Sequence, residues 1–160
     1  MIRATTAEDI DAIVDIVWEV GAEGRWLGTE VPFDREERMQ RLHRMFALGG
    51  NGGFVADEDD ALAGYIALVR THYGVVDVAM ALRNGYRGRG LGTALLAAGV
   101  EWSAASGAHK MALEVWPHNT AARALYTRAG FVEEGRLRRH YRRRNGELWD
   151  AILMGLLLAP

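Results

Sequence analysis

The sequence predicts an α/β (α+β) domain, and three observations carry that prediction. A meander of three strand-like runs occupies residues 54–82, with turn residues between the runs. Segments of helical period flank it, over residues 10–18 and 91–102. Two long strand-like runs around Asn145-Gly146 close the chain as a hairpin. At 160 residues, one domain spanning 1–160 with a core of ordinary size is expected.

The elements follow in order. Ile2-Arg3-Ala4 reads as a short strand, and Thr6-Ala7-Glu8-Asp9 as a capping box with Asp in its third place. Ile10, Ile13, Val14, Val17 and Trp18 mark the buried stripe of a helix that Gly21 and Gly24 stop. Residues 25–33 form an apolar-rich loop with Trp26, Glu30, Val31 and Phe33. That loop is open to two readings, the wall of a substrate pocket or a hydrophobic staple between helices. Asp34-Arg35-Glu36-Glu37 opens a second helix with Met39, Leu42 and Phe46 on its apolar side, and the glycines from Gly49 to Gly53 end it. Strands are expected over 54–58, 62–70 and 75–82, with an acidic turn at Asp59-Asp60 and another turn around His72.

A helix follows the glycines at 88–92 and runs to about Gly107. Met111 to Trp116 is a strand, broken by Pro117 and His118. Asn119 is a good N-cap for a helix over 120–129, and Gly130 a good residue beyond its end. Strands over 131–144 and 147–158 complete the chain. A two-residue Asn145-Gly146 loop would pair Arg144 with Glu147 and Arg142 with Trp149.

Composition excludes several classes. The chain is 49% hydrophobic and 25% charged, which is globular. A net charge of −2 gives no global field toward nucleic acid or membrane. No cysteine is present, so there is no disulfide, no thiolate metal site and no cysteine nucleophile. The first residues lack the apolar core of a signal peptide, and a cytoplasmic protein with no membrane partner is the expectation. No metal is expected.

The chemistry centres on Arg87-Gly88-Arg89-Gly90-Leu91-Gly92-Thr93. Glycines at alternate positions let the backbone turn tightly and present N–H groups. The helix behind adds the positive end of its dipole. Strand, turn and helix start together make an anion site suited to a pyrophosphate. The spacing fits poorly with the dinucleotide fingerprint, which needs G-x-G-x-x-G, and with the Walker loop, which needs Lys before Ser or Thr.

Arg87-x-x-Gly90-x-Gly92 resembles the R-x-x-G-x-G/A motif of the GCN5-related N-acetyltransferases (GNAT). Asn119-x-x-Ala122-x-x-Leu125-Tyr126-x-x-x-Gly130-Phe131 resembles a second motif of the same family, at the expected distance and with a strand between. The resemblance implies a GNAT-type mixed, mostly antiparallel central sheet flanked by helices on both faces, splayed where the donor enters. It implies acetyl-CoA as acetyl donor. Asn84 and Gly85 stand where family members often have a proline and an acidic residue.

The resemblance also distributes roles. Met80, Ala81 and Leu82 would lie along the pantetheine, with the Leu82 N–H polarising the thioester carbonyl. Arg87, Gly88, Arg89, Gly90, Leu91, Gly92 and Thr93 would hold the pyrophosphate, and Asn119 would touch the donor besides capping its helix. Tyr126 matches the family's tyrosine near the sulfur, the general acid. The alternative for Tyr126 is a core tyrosine with an amphipathic ring.

An amine must lose its proton before it attacks a thioester, and lysine-type amines hold theirs to a pKa near 10.4. A base is therefore useful. Glu114 is the leading candidate, a carboxylate in an otherwise apolar strand where burial would tune it. It stands twelve residues before Tyr126. That spacing is similar to the subgroup that acetylates the N-terminal alanine of a ribosomal protein. The alternative is a carboxylate on the solvent face, with Glu30 as runner-up base.

Six arginines and His140 occupy residues 136–144. They read as a solvated hairpin, or as a surface that steers an acidic substrate. Trp26, Glu30, Phe33 and His140 are the candidate acceptor-side residues. The expectation is an enzyme, an N-acetyltransferase acting on a small-molecule amine or a peptide N-terminus by direct attack in a ternary complex. An amino acid or peptide N-terminus is the favoured acceptor. A polyamine or aminoglycoside is the alternative acceptor, and a non-catalytic acyl-CoA-binding or sensing domain the alternative class. Nucleic acid is not an expected partner. The apolar residues 153–158 could serve a homodimer.

Overall fold

The structure, a computed structural model, describes residues 1–47 and 49–159. Its strands are β1 (Ile2–Ala4), β2 (Gly52–Glu58), β3 (Ala61–Arg70), β4 (Val75–Leu82), β5 (Lys110–Val115), β6 (Val132–Arg142) and β7 (Leu148–Leu157). Its α-helices are α1 (Ile10–Ala22), α2 (Arg35–Ala47), α3 (Leu91–Ala105) and α4 (Thr120–Arg128). A single 3-10 turn, Ala7–Asp9, leads into α1.

The strands form one sheet in the order β1-β2-β3-β4-β5-β7-β6. Every neighbouring pair is antiparallel except β4 with β5. Helices cover both faces. Ile13, Ile16, Val17 and Val20 of α1 pack with Val55, Tyr65, Ala67 and Ala81 on one side. Leu95 and Leu96 of α3 and Tyr126 of α4 pack with Ile66, Leu68, Met111 and Ile152 on the other. The mixed, mostly antiparallel sheet with helices on both faces is the expected architecture.

Local chemistry explains most element ends. The Thr6 N–H donates to Asp9 Oδ2 at 2.7 Å, and Asp34 caps α2 by accepting from the Glu37 N–H at 3.0 Å. Asp59 and Asp60 both adopt left-handed φ, 51° and 60°, the conformation of a tight hairpin turn. One boundary departs from expectation. β2 begins at Gly52, inside the glycine run, because the sheet there faces large rings. A Cβ on Gly52 would lie 2.5 Å from the Trp102 ring, and one on Gly53 2.9 Å from Phe46.

The terminal hairpin departs more. Tyr141 pairs with Trp149 and Arg142 with Leu148. The Gly146 N–H donates to Arg143 O at 2.9 Å and the Arg143 N–H to Glu147 O at 2.8 Å. The loop is therefore three residues, Arg144-Asn145-Gly146, with Gly146 left-handed at φ 92°. This shifts the expected pairs by one residue and exchanges the faces of the side chains. Residues 153–158 are largely consumed by the sheet. Met154 and Gly155 are buried, while Leu157 is exposed.

Candidate active site

The parallel strands β4 and β5 pair only from Val75 to Asp77, against Lys110 to Ala112. Beyond that the strands part, and residues 78–82 keep one partner, β3. Their other edge opens into a cavity of about 870 Å³. Such an edge offers unpaired N–H and C=O groups to an extended ligand.

At the end of β4 the chain turns through Arg83–Tyr86, closed by the Tyr86 N–H on Arg83 O at 3.1 Å. Gly85 is left-handed there at φ 93°. Gly88 and Gly90 follow with φ 75° and 83°. A Cβ at either would meet nothing within 4 Å, so the space beside this backbone is free. The first α3 bond runs from the Ala94 N–H to Gly90 O. The N–H groups of Leu91, Gly92 and Thr93 thus have no acceptor within the helix, the ordinary condition of a helix start and a fit for phosphate oxygens.

Across the cavity stands β5. Glu114 is exposed on its cleft side, not buried as its apolar strand suggests. The desolvation expected of it is therefore missing, and the Tyr141 hydroxyl donates to its Oε2 instead. That bond, more than burial, pushes the Tyr141 phenol up to about 12. Asp77 lies on the same side of β4. Burial first, and the nearby Glu114 charge second, raise its carboxyl above the usual range. Tyr126 lines the opposite wall, buried against Phe131 at a ring distance of 5.7 Å. Burial, with a smaller contribution from Tyr65, pushes its phenol up to about 12.

Residues 13–131 match the profile of the Acetyltransferase (GNAT) family. The chain belongs to this family. It is an acetyltransferase, with acetyl-CoA as donor. Its sequence is 33% identical over 100 residues to a Bacillus subtilis (strain 168) protein provisionally named a ribosomal protein bS18-alanine N-acetyltransferase. That stretch covers 62% of this chain and 64% of the relative. Among solved structures it is similar to a phosphinothricin acetyltransferase of Sinorhizobium meliloti in complex with AcCoA. The TM-score is 0.88 at 27% identity, covering 99% of this chain and 88% of that one. The fold is shared with a ribosomal-protein-alanine N-acetyltransferase of Brucella melitensis, with a TM-score of 0.89 at 24% identity and 99% of both chains covered. No helix among the described residues is long and apolar enough to cross a membrane.

In this acetyltransferase most residues expected on the donor side meet at one cavity. Met80, Ala81, Leu82, Arg87, Gly88, Gly90, Gly92, Thr93 and Asn119 line it, as do Glu114 and Tyr126. Asn119 caps α4, accepting from the Ala122 N–H at 3.2 Å. Arg89 and Leu91 fall outside the wall. Arg89 lies 5.2 Å over the Tyr86 ring, and Leu91 packs into the core. Arg87 touches the cavity, yet its guanidinium is engaged. It donates to Glu23 at 2.8 and 2.6 Å and to Leu82 O at 3.0 Å, and holds the Glu23 carboxyl below the usual range. Gly92 is needed for packing as well, since its Cβ would lie 3.2 Å from Leu125.

The acceptor side of the acetyltransferase departs further from expectation. Of Trp26, Glu30, Phe33 and His140, only Trp26 lines the cavity. Phe33 packs on Trp18 at 4.9 Å. His140 is exposed. Glu30 accepts from the Arg144 N–H at 3.0 Å and lies 3.7 Å from Arg143. None of the six hairpin arginines lines the cavity.

Arg143 explains the difference. It is buried between Trp116 and Trp149, at 5.5 and 4.3 Å, and donates to Gly28 O at 3.1 Å. Arg144 donates to Pro32 O at 2.9 Å, and His118 Nε2 lies 2.7 Å from Arg25 O. The two arginines tie residues 25–33 to the hairpin and His118 ties Arg25 to the turn after β5, which leaves Trp26 on the cavity wall and Phe33 packed on Trp18. Sequence reasoning missed Asp77, Trp116 and Tyr141 as cavity residues. Alternation along the strands could have found Asp77, two residues from Ala79 on the cleft side.

Proposed function

We propose that this acetyltransferase moves the acetyl group of acetyl-CoA directly to the N-terminal amine of a peptide. One observation carries the reading. A single cavity joins the free N–H groups of the glycine turn to the Glu114 carboxylate and the Tyr126 hydroxyl. The open edge of β4 over residues 78–82 supports a pantetheine laid along it. The Leu82 N–H is the donor for the thioester oxygen.

Glu114 accepts the ammonium proton, the amine nitrogen then forms its bond to the acetyl carbon as the carbon–sulfur bond breaks, and the second proton on that nitrogen passes to solvent. The sulfur leaves as a thiolate, and Tyr126 donates a hydrogen bond to it. Full transfer from a phenol held near 12 to a thiolate of conjugate-acid pKa about 8.5 is uphill by about 5 kcal/mol. The phenol therefore stabilises the leaving sulfur without parting from its proton, which solvent supplies later.

Acceptor chemistry follows from the wall. Asp77, Glu114 and Glu134 line the cavity together with Arg87 and Arg128; Glu134 is tied to Lys110 and Arg87 to Glu23. The hairpin arginines that could have held a carboxylate are engaged elsewhere or turned outward. A peptide N-terminus presents an amine beside a neutral carbonyl, whereas a free amino acid brings a carboxylate next to its amine, which Asp77 and Glu114 would repel where the amine meets the base. The bS18-alanine relative supports the same choice. The Asp77–Glu114 pair also favours a second ammonium, which is the ground for keeping a polyamine as second reading.

Steady-state assays that follow CoA release with alanine, an alanine-led tripeptide, spermidine and kanamycin test this. The tripeptide is expected to show the highest kcat/KM, with intersecting double-reciprocal lines. A higher value for spermidine or kanamycin overturns the acceptor, and acetyl-CoA binding without turnover of any amine overturns catalysis.

A further inference from the structure

Tyr141 and Glu114 belong to strands that are not neighbours. β7 lies between β6 and β5, so the pair spans two strand spacings, about 10 Å of sheet, and runs diagonally along β7 from the level of Trp149 to that of Leu153. Leu153 of β7 stands opposite Glu114, and Ala151 opposite Leu137. The short side chain of Ala151 leaves room on this face for a phenol to cross.

Register decides which residue crosses. Leu137 pairs with Ala151, so an unbroken ladder would pair Arg139 with Trp149. Tyr141 pairs with Trp149 instead, which makes two extra residues in β6 between these points. Arg139 takes up the irregularity at φ 49°. Asp150 pins it, accepting from the Arg139 N–H at 2.6 Å and from Arg136 Nε at 2.7 Å. Bulges beside active sites commonly re-aim a side chain. Here the bulge substitutes a phenol for an arginine opposite Trp149, and the Trp116 ring steadies that phenol edge-on at 5.3 Å.

We propose that Tyr141 is a positioning residue for Glu114, delivered by the Asp150-pinned bulge. It holds Oε2 and leaves Oε1 toward the acceptor ammonium. This rests on the reading of Glu114 as the base. The charged groups that share the cavity wall with Glu114 are Asp77 from β4, Glu134 from β6, Arg128 at the end of α4 and Arg87 after β4, with Glu134 tied to Lys110 at 2.7 Å and Arg87 to Glu23 at 2.8 Å. β7 presents Leu153 to it. The Asp77 charge opposes the Glu114 charge, and the Tyr141 hydroxyl is the donor that offsets it.

Tyr141→Phe keeps the ring against Trp116 and removes the donor. With the best acceptor of the amine panel, kcat/KM at pH 7 is expected to fall about tenfold, and the acidic limb of its pH profile to move to higher pH. Acetyl-CoA affinity stays unchanged. Adding Tyr141→Phe to Glu114→Gln should cost nothing more, because the residue acts through the carboxylate. Asp150→Ala should reproduce the shifted limb. The tyrosine ring-carbon NMR signal assigned to Tyr141 should remain that of the phenol at pH 10.5, and ionise near pH 10 in Glu114→Gln. A wild-type profile in Tyr141→Phe, or an equal loss in both backgrounds, overturns the positioning role while Glu114 stands. A silent Glu114→Gln overturns the base, and the positioning role with it.

Discussion

The Arg143 guanidinium lies 4.3 Å over the Trp149 ring, and the same residue reaches across to the Gly28 carbonyl at 3.1 Å. A cation with 5% exposure is thereby held by a π face and a backbone oxygen, with Glu30 at 3.7 Å. Its role is to fasten the loop that brings Trp26 to the cavity. Arg143→Ala is expected to lose about 2–3 kcal/mol in urea unfolding. It should raise the KM of the amine while leaving that of acetyl-CoA alone. Arg143→Lys should recover little, since an ammonium lacks the planar face.

Gly90 opens α3 in a left-handed conformation that an L side chain adopts at a cost of about 1–2 kcal/mol. Its missing Cβ faces open space beside the free N–H groups. Gly90→Val should fold, and should weaken acetyl-CoA at least tenfold in a calorimetric titration. An unchanged affinity in the folded variant removes the turn from the donor site.

Both positions mark what the sequence discloses. The glycine spacing, the Asn119 cap and the motif ending at Phe131 are local, and each stands where the sequence puts it. The acceptor side depends on register, which local patterns do not fix. Asn145-Gly146 announces a hairpin, but one extra loop residue turned Arg143 inward, and the bulge at Arg139 together with that loop sets Tyr141 opposite Trp149. The strain at Arg139 has no sequence signature, since it is held by Asp150 from the facing strand. Glu114 looked buried because its strand neighbours are apolar. The parting of β4 and β5 exposes it, and no single segment contains that event.

Tyr126→Phe keeps the ring on Phe131 and removes the hydrogen bond to the leaving sulfur. A fall in kcat of about 10²-fold is expected, with acetyl-CoA affinity nearly kept. A variant with wild-type kcat returns Tyr126 to the core alone.

Asp9 anchors the first turn. Arg3 binds it at 2.7 and 2.8 Å and holds its carboxyl below the usual range. A group whose pKa is depressed on folding adds stability above its unfolded value, and that stability is lost as pH falls through the folded value. Asp9→Asn should therefore lower Tm at pH 7. The gap to wild type should close on acidification below about pH 4. A gap that persists unchanged at pH 2–3 would assign the effect to shape and not to charge.

The most direct measurement is the pH dependence of kcat/KM for Glu114→Gln with the best amine of the panel. The amide keeps the size of the side chain and cannot accept the ammonium proton. A loss of about 10²- to 10⁴-fold is expected at pH 7, narrowing as pH rises and the amine sheds its own proton. A variant that matches wild type at pH 7 would contradict direct, Glu114-assisted acetyl transfer in this cleft.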